Sequence, residues 1–329
     1  MNSNILTITR ETEPTTDIVF DYMSYLASDP ITLVRLQQED MIEDVVVEIS
    51  NDVAKDKITL LSEDKNFLIN TNTKTWYRRG DLSYIFPLSK DGLNPKLGDY
   101  LKDEWFIVKD FIHESITVLG GYNEETQDNK LKDLYTARNC GIKIPDTLVT
   151  TSKEKLLAFY DKHNIVLTKP IHNGHLSFID NNKEYVGKGL VIIDDSIIKF
   201  TTSQFCLSLF QNYVDKEYEI RVFFIDKQLF PMVIFSQLDK KTKYDFRNYN
   251  HDKPNRNVPY NLPQEIKNKL LCFIKNSNLS TGSIDLIFST KKEYVFLEVN
   301  PAGQFGWVSV NCNYYLEKKI ATYLLNFQK

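Results

Sequence analysis

Two short apolar segments near the C-terminal end, residues 284–288 and 294–300, constrain the fold more than any other feature of the chain. Their sequences, IDLIF and YVFLEVN, are rich in β-branched and aromatic residues, which favour strands. The polar stretch at residues 289–293 joins them and has a length typical of hairpin loops. We therefore predict an antiparallel hairpin whose two strands are largely buried.

Three oxygen-bearing side chains lie on this predicted hairpin, namely Asp285, Glu298 and Asn300. Because side chains alternate along a strand, Glu298 and Asn300 are predicted on one face, with Leu297 and Val299 on the other. Asp285 is expected to join them across the strand pair. Carboxylate and amide oxygens suit Mg²⁺, so the pattern predicts a metal site. Solvated strand residues are the alternative, but a carboxylate among apolar neighbours needs a cation or hydrogen-bond donors.

A second strand, predicted at residues 219–225, places Glu219 and Arg221 on one face. A guanidinium beside a triphosphate would stabilise charge on a transferred phosphoryl group, and a cross-strand ion pair is the common alternative. Lys130 opens a predicted helix, and Lys169 ends a predicted strand. Lysine is a compact charge suited to phosphate, although each of these two lysines taken singly fits an ordinary surface position.

Periodicity and turn residues predict strands and helices along the rest of the chain. Further strands are predicted at residues 5–9, 31–36, 45–49, 76–79, 165–168, 189–193, 197–201, 207–214 and 229–235. Helices are predicted at residues 18–26, within 99–119, and at 129–139, 264–276 and 314–327. The polar stretch 239–263 has little periodicity, and its length indicates a lid or a binding segment.

The composition of the chain limits the classes of function that it fits. The chain has 329 residues and a net charge of -4, which argues against nucleic-acid binding as its main activity. No signal peptide or apolar run long enough to span a membrane is present, so a cytoplasmic protein without a membrane partner is expected. The cysteines are far apart and form no CxxC pair, so buried free thiols in a reducing compartment are predicted for Cys140, Cys206, Cys272 and Cys312.

Several common site motifs are absent from the sequence. There is no GxxxxGK[ST] loop and no GxGxxG loop, and no GxSxG or Cys/His arrangement predicts a covalent acyl-enzyme. His172 and His175 have a spacing compatible with metal binding, but no further His or Cys lies nearby in the sequence. A loop role is therefore predicted for these two histidines rather than a zinc site.

The ordered series of motifs resembles the ATP-grasp ligases. More narrowly, the chain resembles the maturases of graspetides, ribosomal peptides cross-linked by ω-esters or ω-amides as in microviridin, with the grasp-with-spasm branch nearest. The resemblance extends from Trp76 to the C-terminus. It is carried by Lys130, Lys169-Pro170, WYRR at 76–79, Phe210-Gln211 with Tyr213 and Lys216, DFR at 245–247, IDLIF at 284–288 and EVNPAGQ at 298–304. Phe246 is a departure, since the family often has Trp there.

The resemblance implies an α/β (α+β) architecture with the ATP-grasp fold in three lobes. Residues 1–122 would form an N-terminal pre-ATP-grasp lobe, 123–206 the central lobe, and 207–329 a C-terminal antiparallel-sheet lobe with the metal site. It also implies a homodimer.

The resemblance implies site roles by position. Asp285, Glu298 and Asn300 would hold Mg²⁺, and Asn300 would also contact the nucleotide. The groups expected to bind ATP are Lys130, Lys169 and Arg221 at the phosphates, Gln211, Tyr213, Val214 and Lys216 around the adenine, and Glu219 near the ribose. Arg221, Asp245 and Arg247 would form the catalytic set, with Asp245 and Arg247 facing the peptide substrate.

The implied reaction uses ATP and Mg²⁺ to convert Asp or Glu side chains of a precursor peptide into acyl phosphates. Ser, Thr or Lys side chains of the same peptide would then attack, forming ω-ester or ω-amide cross-links. The implied partner is a leader joined to a core rich in Thr, Glu and Asp. Two alternatives stay open: an ATP-grasp ligase that adds glutamate or another amino acid to a protein or small molecule, and a non-catalytic nucleotide- or peptide-binding protein.

Overall fold

In the computed structural model, the described residues are 3–63, 65–86, 94–163, 165–172, 177–181, 183–187, 189–237, 239, 242–244, 246, 252 and 254–327. The chain folds as two compact units. The first comprises Met1–Gln127, Leu279–Gly282 and Pro301–Lys329, and the second comprises Asp128–Asn278 and Ser283–Asn300. The three lobes expected from the sequence, with boundaries at residues 122 and 206, stay a prediction.

The N-terminal part of the first unit combines a parallel sheet with a smaller antiparallel one. Its elements are β1 (Ser3–Thr9), α1 (Pro14–Leu26), β2 (Ile31–Gln37), β3 (Ile42–Glu48), β4 (Lys57–Ser62), β5 (Lys65–Asn70), β6 (Thr73–Tyr77), α2 (Pro95–Ile116), β7 (Thr117–Leu119) and α3 (Tyr122–Thr126). The parallel sheet has the order β2-β1-β6-β7, and β3, β4 and β5 pair antiparallel. Ile5, Leu6 and Ile8 of β1 are all buried, as expected for a central strand covered on both faces.

The strands predicted at residues 5–9, 31–36 and 45–49 are confirmed as β1, β2 and β3. The strand predicted at 76–79 is shifted, because β6 ends at Tyr77. β4 and β5 were not predicted, although each shows apolar alternation. Ile58 and Leu60 of β4 and Phe67 and Ile69 of β5 all lie in one core cluster.

A buried histidine lies between aromatic rings in this unit. His113 of α2 is 2% exposed, stacks on Tyr122 with 4.3 Å between ring centroids, and meets the edge of Tyr77 at 5.5 Å. Neither nitrogen of the imidazole has a hydrogen-bond partner among the described residues. Burial lowers the pKa of His113 from 6.5 to about 4. The folded protein therefore holds this ring neutral at pH values where an unfolded chain begins to protonate it.

The first unit should lose stability in acid because of this histidine. A lowered folded-state pKa contributes stability that is fully present above pH 6.5 and is lost as the pH falls towards 4. We expect the free energy of unfolding to decrease by about 3 kcal/mol over this range from His113 alone. Urea unfolding at a series of pH values measures how the free energy of unfolding changes with pH. His113→Phe, which keeps a stacked ring, should remove the part of this change that comes from the histidine. An identical slope in the two proteins would contradict the prediction.

The second unit contains two larger sheets and the helices that pack on them. Its elements are α4 (Lys130–Asn139), β8 (Thr147–Ser152), α5 (Lys153–Lys162), β9 (Val166–Lys169), β10 (Ser177–Asp180), β11 (Lys183–Val186), β12 (Val191–Ile193), α6 (Asp195–Phe200), β13 (Gln204–Asn212), β14 (Lys216–Ile225), β15 (Gln228–Phe235), β16 (Arg256–Pro259), α7 (Gln264–Asn276), β17 (Thr281–Ser289) and β18 (Tyr294–Asn300). The first two residues of β17 belong to the first unit. One sheet is antiparallel, with the order β12-β9-β13-β8. The other has the order β16-β15-β14-β17-β18, and β10 and β11 form a separate hairpin.

The predicted helices at residues 129–139 and 264–276 are confirmed as α4 and α7. Asn129 caps α4 by accepting bonds from two backbone amides, and Gly141 follows the helix at φ +77°, a conformation that favours glycine. The strand predicted at residues 197–201 is wrong, because this stretch belongs to the helix α6. Its isoleucines favour a strand by composition, but the Asp194 carboxylate accepts a bond from the Ile197 amide and starts a helical turn.

The prediction of four buried free thiols is wrong. Cys140, at the C-terminal end of α4, forms a disulfide with Cys272 of α7, and their Cα atoms are 5.8 Å apart. The two cysteines are 132 residues apart in the chain, so their proximity depends on the packing of α4 against α7. Cys206 is free but exposed, and only Cys312 matches the prediction of a buried free thiol.

The chain returns to the first unit after β18. The helix α8 (Gly306–Cys312) and the helix α9 (Leu316–Asn326) complete this unit, and α9 packs against α1. The C-terminal helix predicted at residues 314–327 is confirmed as α9, whereas α8 was not predicted. Within the part of the chain that the structure describes, no helix has the length and apolar character needed to span a membrane.

Candidate active site

The predicted hairpin of β17 and β18 forms, and Asp285 lies directly opposite Glu298 in its register. Asn300 ends β18 two residues further on and is exposed. The register shifts immediately after Asp285, which makes Leu297 the extra residue of a β-bulge. The predicted alternation is therefore wrong at Leu297, whose side chain lines the same cleft as Glu298. The bulge places an apolar wall beside the paired carboxylates.

Each of the two carboxylates is paired with a cation, one from the neighbouring strand β14 and one from β9 of the other sheet. Arg221 Nη1 of β14 donates to both oxygens of Asp285, at 3.1 and 3.0 Å. Lys169 Nζ of β9 lies 3.5 Å from Glu298 Oε2. The four side chains are 8–20% exposed, so their charges are only partly screened by solvent. The structure thus brings Arg221, Asp285, Lys169 and Glu298 together, and the roles predicted for these residues stay predictions.

The donor set at this point fits a hard divalent cation. Asp285, Glu298 and Asn300 offer only oxygen ligands of the kind that Mg²⁺ takes when water and phosphate complete its coordination. Within the described residues, no cluster of three or more His, Cys, Asp or Glu side chains could hold a metal alone. A site with two carboxylates and an amide therefore needs further oxygens from a ligand, and a nucleotide triphosphate would supply them.

A second carboxylate pair lies close to Glu298 and was not predicted from the sequence. Burial, together with the charge of Asp128, raises the pKa of Asp133 to about 7, and burial also raises the pKa of Asp128. The negative charge of Glu298 adds to both shifts. Asp133 precedes the buried Ala137 by one helical turn, so its position on the inner face of α4 was readable from the sequence.

A cleft extends from these carboxylates along the end of β13 and the residues that follow it. Gln211, Tyr213 and Val214 line it, together with the apolar side chains of Leu167, Leu190, Ile287 and Leu297. The amide of Gln211 donates to Thr147 Oγ1 at 2.9 Å, and the backbone N–H of Tyr213 donates to Ile165 O at 2.8 Å. These bonds hold the segment after β13 against its neighbours. A largely apolar cleft with a few polar groups suits a planar ring with polar edges.

Glu219 lies in the same cleft but is held by internal partners. Lys216 Nζ donates to Glu219 Oε1 at 2.7 Å, and the hydroxyl of Ser236 donates to the same oxygen at 2.7 Å. Lys216 also donates to the backbone oxygen of Tyr244 at 3.2 Å. Lys216 and Glu219 are both buried, so their opposite charges compensate each other. The predicted roles of Lys216 near the adenine and Glu219 near the ribose stay predictions.

Lys130 begins α4, and its Nζ donates to the backbone oxygen of Pro170 at 3.0 Å. This bond ties the start of α4 to the end of β9. His172 Nδ1 lies 3.1 Å from the backbone oxygen of Asp128, which agrees with a loop role for this histidine. His175 lies outside the described residues.

Both residues expected to face the peptide, Asp245 and Arg247, lie outside the described residues. Their neighbours Tyr244 and Phe246 are described, and both line the cleft. The ring of Tyr244 meets the ring of Tyr213 at a centroid distance of 5.3 Å. Burial raises the pKa of Tyr213 to about 12, so its phenol stays neutral in the cleft.

Comparisons with known proteins identify the family and the fold. Residues 127–324 match the family model described as the RimK-like ATP-grasp domain. The structure resembles a RiPP-associated ATP-grasp ligase from Chryseobacterium gregarium, solved with ADP and a leader and core peptide. The TM-score is 0.79 with 25% identity, covering 99% of this chain and 96% of that one.

Two further solved structures share the fold. The macrocyclase MdnC of Microcystis aeruginosa, bound to its precursor peptide MdnA, matches with a TM-score of 0.77 and 21% identity, covering 98% of this chain and all (100%) of that one. D-alanyl-alanine synthetase A of Vibrio cholerae matches with a TM-score of 0.53 and 14% identity, covering 98% of this chain and 97% of that one. No curated protein sequence matches the chain.

The matched segment includes Lys130, Lys169, Arg221, Asp285 and Glu298, and it spans more than half of the 329 residues. The expected architecture is thereby confirmed: an α/β chain that matches the ATP-grasp fold and has an antiparallel-sheet region. This chain belongs to the RimK-like ATP-grasp family.

Proposed function

We propose that this protein is an ATP- and Mg²⁺-dependent peptide maturase, which activates side-chain carboxylates of a precursor peptide and closes ω-ester or ω-amide cross-links. The observation that carries the proposal is the in-register pair of Asp285 and Glu298, each beside a cation, at one end of a cleft. The peptide as substrate is supported by the Chryseobacterium gregarium ligase, whose structure holds ADP with a leader and core peptide.

The residues divide between base, phosphates and metal. The segment from Gln211 to Val214 would hold the adenine largely through backbone groups. Lys130, Lys169 and Arg221 would contact the phosphates, since they supply positive charge from three different elements.

Asp285, Glu298 and Asn300 would hold Mg²⁺, with Asn300 also near the nucleotide. When bound, the metal would neutralise phosphate charge and make the terminal phosphoryl group a better electrophile. The cations that now pair with Asp285 and Glu298 would then be available to the phosphates.

The chemistry proceeds in two steps on the peptide. A peptide carboxylate attacks the γ-phosphorus of ATP, the bond to the bridging oxygen breaks, and ADP leaves with an acyl phosphate formed. A hydroxyl of Ser or Thr, or an amine of Lys, then attacks the acyl carbon and loses its proton, and phosphate departs. Arg221 would stabilise negative charge on the transferred group. This route needs no nucleophile from the enzyme, in agreement with the lack of such a motif in the sequence.

An acyl phosphate must be kept from water until the second step. The segment 172–188 is proposed as a lid over this site, and of it the hairpin Ser177–Asp180 and Lys183–Val186 is described. Asp245 and Arg247 are proposed to face the peptide. The Thr-, Glu- and Asp-rich composition of the core, a homodimer and a cytoplasmic location stay predictions.

Mass spectrometry of a candidate precursor peptide tests the proposal. After incubation with the protein, ATP and Mg²⁺, each cross-link should remove the mass of one water from the peptide, and ADP should accumulate only when peptide is present. The same mixture with a non-hydrolysable ATP analogue is the control. Gain of an amino-acid mass would identify a ligase of another specificity. Peptide binding without ADP release would indicate a non-catalytic binding protein.

A further inference from the structure

A buried arginine, Arg78, contacts the segment that follows β18, the strand proposed to bind the metal. Arg78 follows β6, and only 3% of its surface is exposed. Its Nη1 donates to the backbone oxygen of Ala302, and its guanidinium lies over the ring of Phe305 with 5.0 Å from Cζ to the centroid. Phe305 is itself buried. Arg78 therefore contacts the segment after β18 through both charge and packing.

Arg78 is itself held on the opposite side. Glu13, the residue before α1, is buried and places Oε2 3.3 Å from Arg78 Nη2. Thr15 donates to the other oxygen of Glu13, and its hydroxyl lies 3.5 Å from Arg78 Nε. Three nitrogens of one guanidinium thus meet three different partners. A planar, rigid donor group used in this way fixes its own orientation and that of the groups it contacts.

Burial of this charge is costly, and the cost indicates that the contacts matter. Burial lowers the pKa of Arg78 to about 10, with Glu13 acting in the opposite direction. A hydrophobic residue would fill the same space without that desolvation. What it could not do is donate to the carbonyl of Ala302.

The position of that carbonyl suggests why the donor is needed. Ala302 follows Asn300 by two residues, so their Cα atoms are at most about 7.6 Å apart along the chain. Gly303 comes next at φ +35°, where a side chain would be strained, so the backbone turns sharply at this point. A bond that fixes the Ala302 peptide therefore restricts the backbone torsions immediately after Asn300.

We infer that Arg78 is a positioning residue for the metal site, acting on Asn300 through the Ala302 carbonyl. The inference rests on the proposed function, in which Asn300 contributes to Mg²⁺ binding. Arg78 touches neither substrate nor metal in this account. Its effect is to hold the end of β18 so that the amide of Asn300 keeps one orientation. Asn300 then loses less conformational entropy when the metal binds.

The test is the affinity of Mn²⁺ for the complex of the enzyme with ADP, measured from the EPR signal of free Mn²⁺. Arg78→Met should weaken Mn²⁺ binding by about ten-fold, the size typical for residues that orient a metal ligand. Arg78→Lys keeps the positive charge but not the planar set of N–H donors, so we expect a smaller loss of Mn²⁺ affinity. ADP affinity in EDTA, measured by calorimetry, should change less than about two-fold, because every proposed nucleotide contact other than that of Asn300 is unaltered.

Arg79→Lys is the matched control. Arg79 lies next in sequence and pairs with the same Glu13, with Nε 3.4 Å from Oε2. The variant Arg79→Lys should leave Mn²⁺ affinity unchanged if Arg78 affects metal binding through its bond to Ala302 and not through the charge near Glu13. Thermal unfolding of each variant checks that it is folded. Should Arg78→Met fail to fold, Arg78→Lys decides the question.

A double-mutant cycle with Asn300→Ala distinguishes an effect of Arg78 through Asn300 from an effect that is independent of Asn300. If Arg78 acts through Asn300, Arg78→Lys should weaken Mn²⁺ binding in the wild-type background and have no further effect in Asn300→Ala. Wild-type affinity in folded Arg78→Lys and Arg78→Met, or fully additive losses in the cycle, would overturn the inference. Unchanged Mn²⁺ affinity in both Asn300→Ala and Glu298→Gln would instead overturn the metal site of the proposed function.

Discussion

Replacement of Glu298 by Gln should abolish peptide-dependent ADP release, with a loss of about a thousand-fold or more. Glu298 and Asp285 face each other across β17 and β18, and both would bind one metal ion. Glutamine keeps the shape of the side chain but removes the negative charge that a divalent cation needs. Phosphate charge would then remain unneutralised during transfer. The measurement is the rate of ADP release at saturating ATP and peptide, with added Mg²⁺ varied.

The fold should survive this substitution. Glu298 lies 3.5 Å from Lys169, a long contact for an ion pair, and glutamine can still accept a bond there. Glu293→Gln is the matched control, because Glu293 immediately precedes β18 in the same hairpin and pairs with Lys143. We expect near wild-type activity from the control. Substantial turnover by folded Glu298→Gln would show that the metal site lies elsewhere.

Replacement of Arg221 by Ala should lower the rate of ADP release by about a hundred- to a thousand-fold. The guanidinium now holds both oxygens of Asp285 and would turn to the phosphates when metal binds the carboxylate. Because the charge on the transferred group develops during reaction, the loss should fall mainly on kcat and less on KM for ATP. Arg221→Lys should recover part of the rate, since it restores charge without the planar fork.

Arg256→Ala is the control for the Arg221 variants. Arg256 lies on β16 of the same sheet, is exposed, and has its guanidinium over Phe235 at 5.8 Å. Its loss should leave both steady-state constants within about two-fold of wild type, as for surface positions in general. Equal losses in the two alanine variants would mean that general positive charge, and not the pairing of Arg221 with Asp285, supports catalysis. Thermal unfolding of Arg221→Ala should be measured alongside, because Asp285 loses a partner.

The hairpin that carries the site was predictable because its signals are local. Residues 284–288 and 294–300 have strand composition, and a polar turn joins them. The location of Asp285 and Glu298 on facing strands of one hairpin followed from that alone. The bulge at Leu297 did not, because an extra residue in one strand changes which face a side chain occupies without changing composition.

Other features depend on the packing of distant parts of the chain. The Cys140–Cys272 disulfide joins residues 132 positions apart, and only the packing of α4 on α7 brings them together. Arg78 meets Ala302 for a similar reason, since the two residues are 224 positions apart in the chain. Asp133 was not predicted, although its spacing from Ala137 places both on one helical face. The sequence pattern indicates a face, and tertiary packing decides what that face meets.

The error at α6 has a different origin. Its isoleucines favour a strand when composition is read alone. The carboxylate of Asp194 accepts from the backbone N–H of Ile197 at 2.9 Å, and this single cap starts a helix instead. A capping residue followed by a short apolar run therefore carries more information here than the run itself.

A crystal structure with a non-hydrolysable ATP analogue and Mn²⁺ tests the central claim most directly. The anomalous signal of Mn²⁺ locates the metal without reference to the protein coordinates. We expect a peak about 2 Å from oxygens of Asp285, Glu298 and Asn300, with the remaining positions filled by phosphate and water. A metal bound to the nucleotide elsewhere, with these side chains turned away from it, would contradict the account.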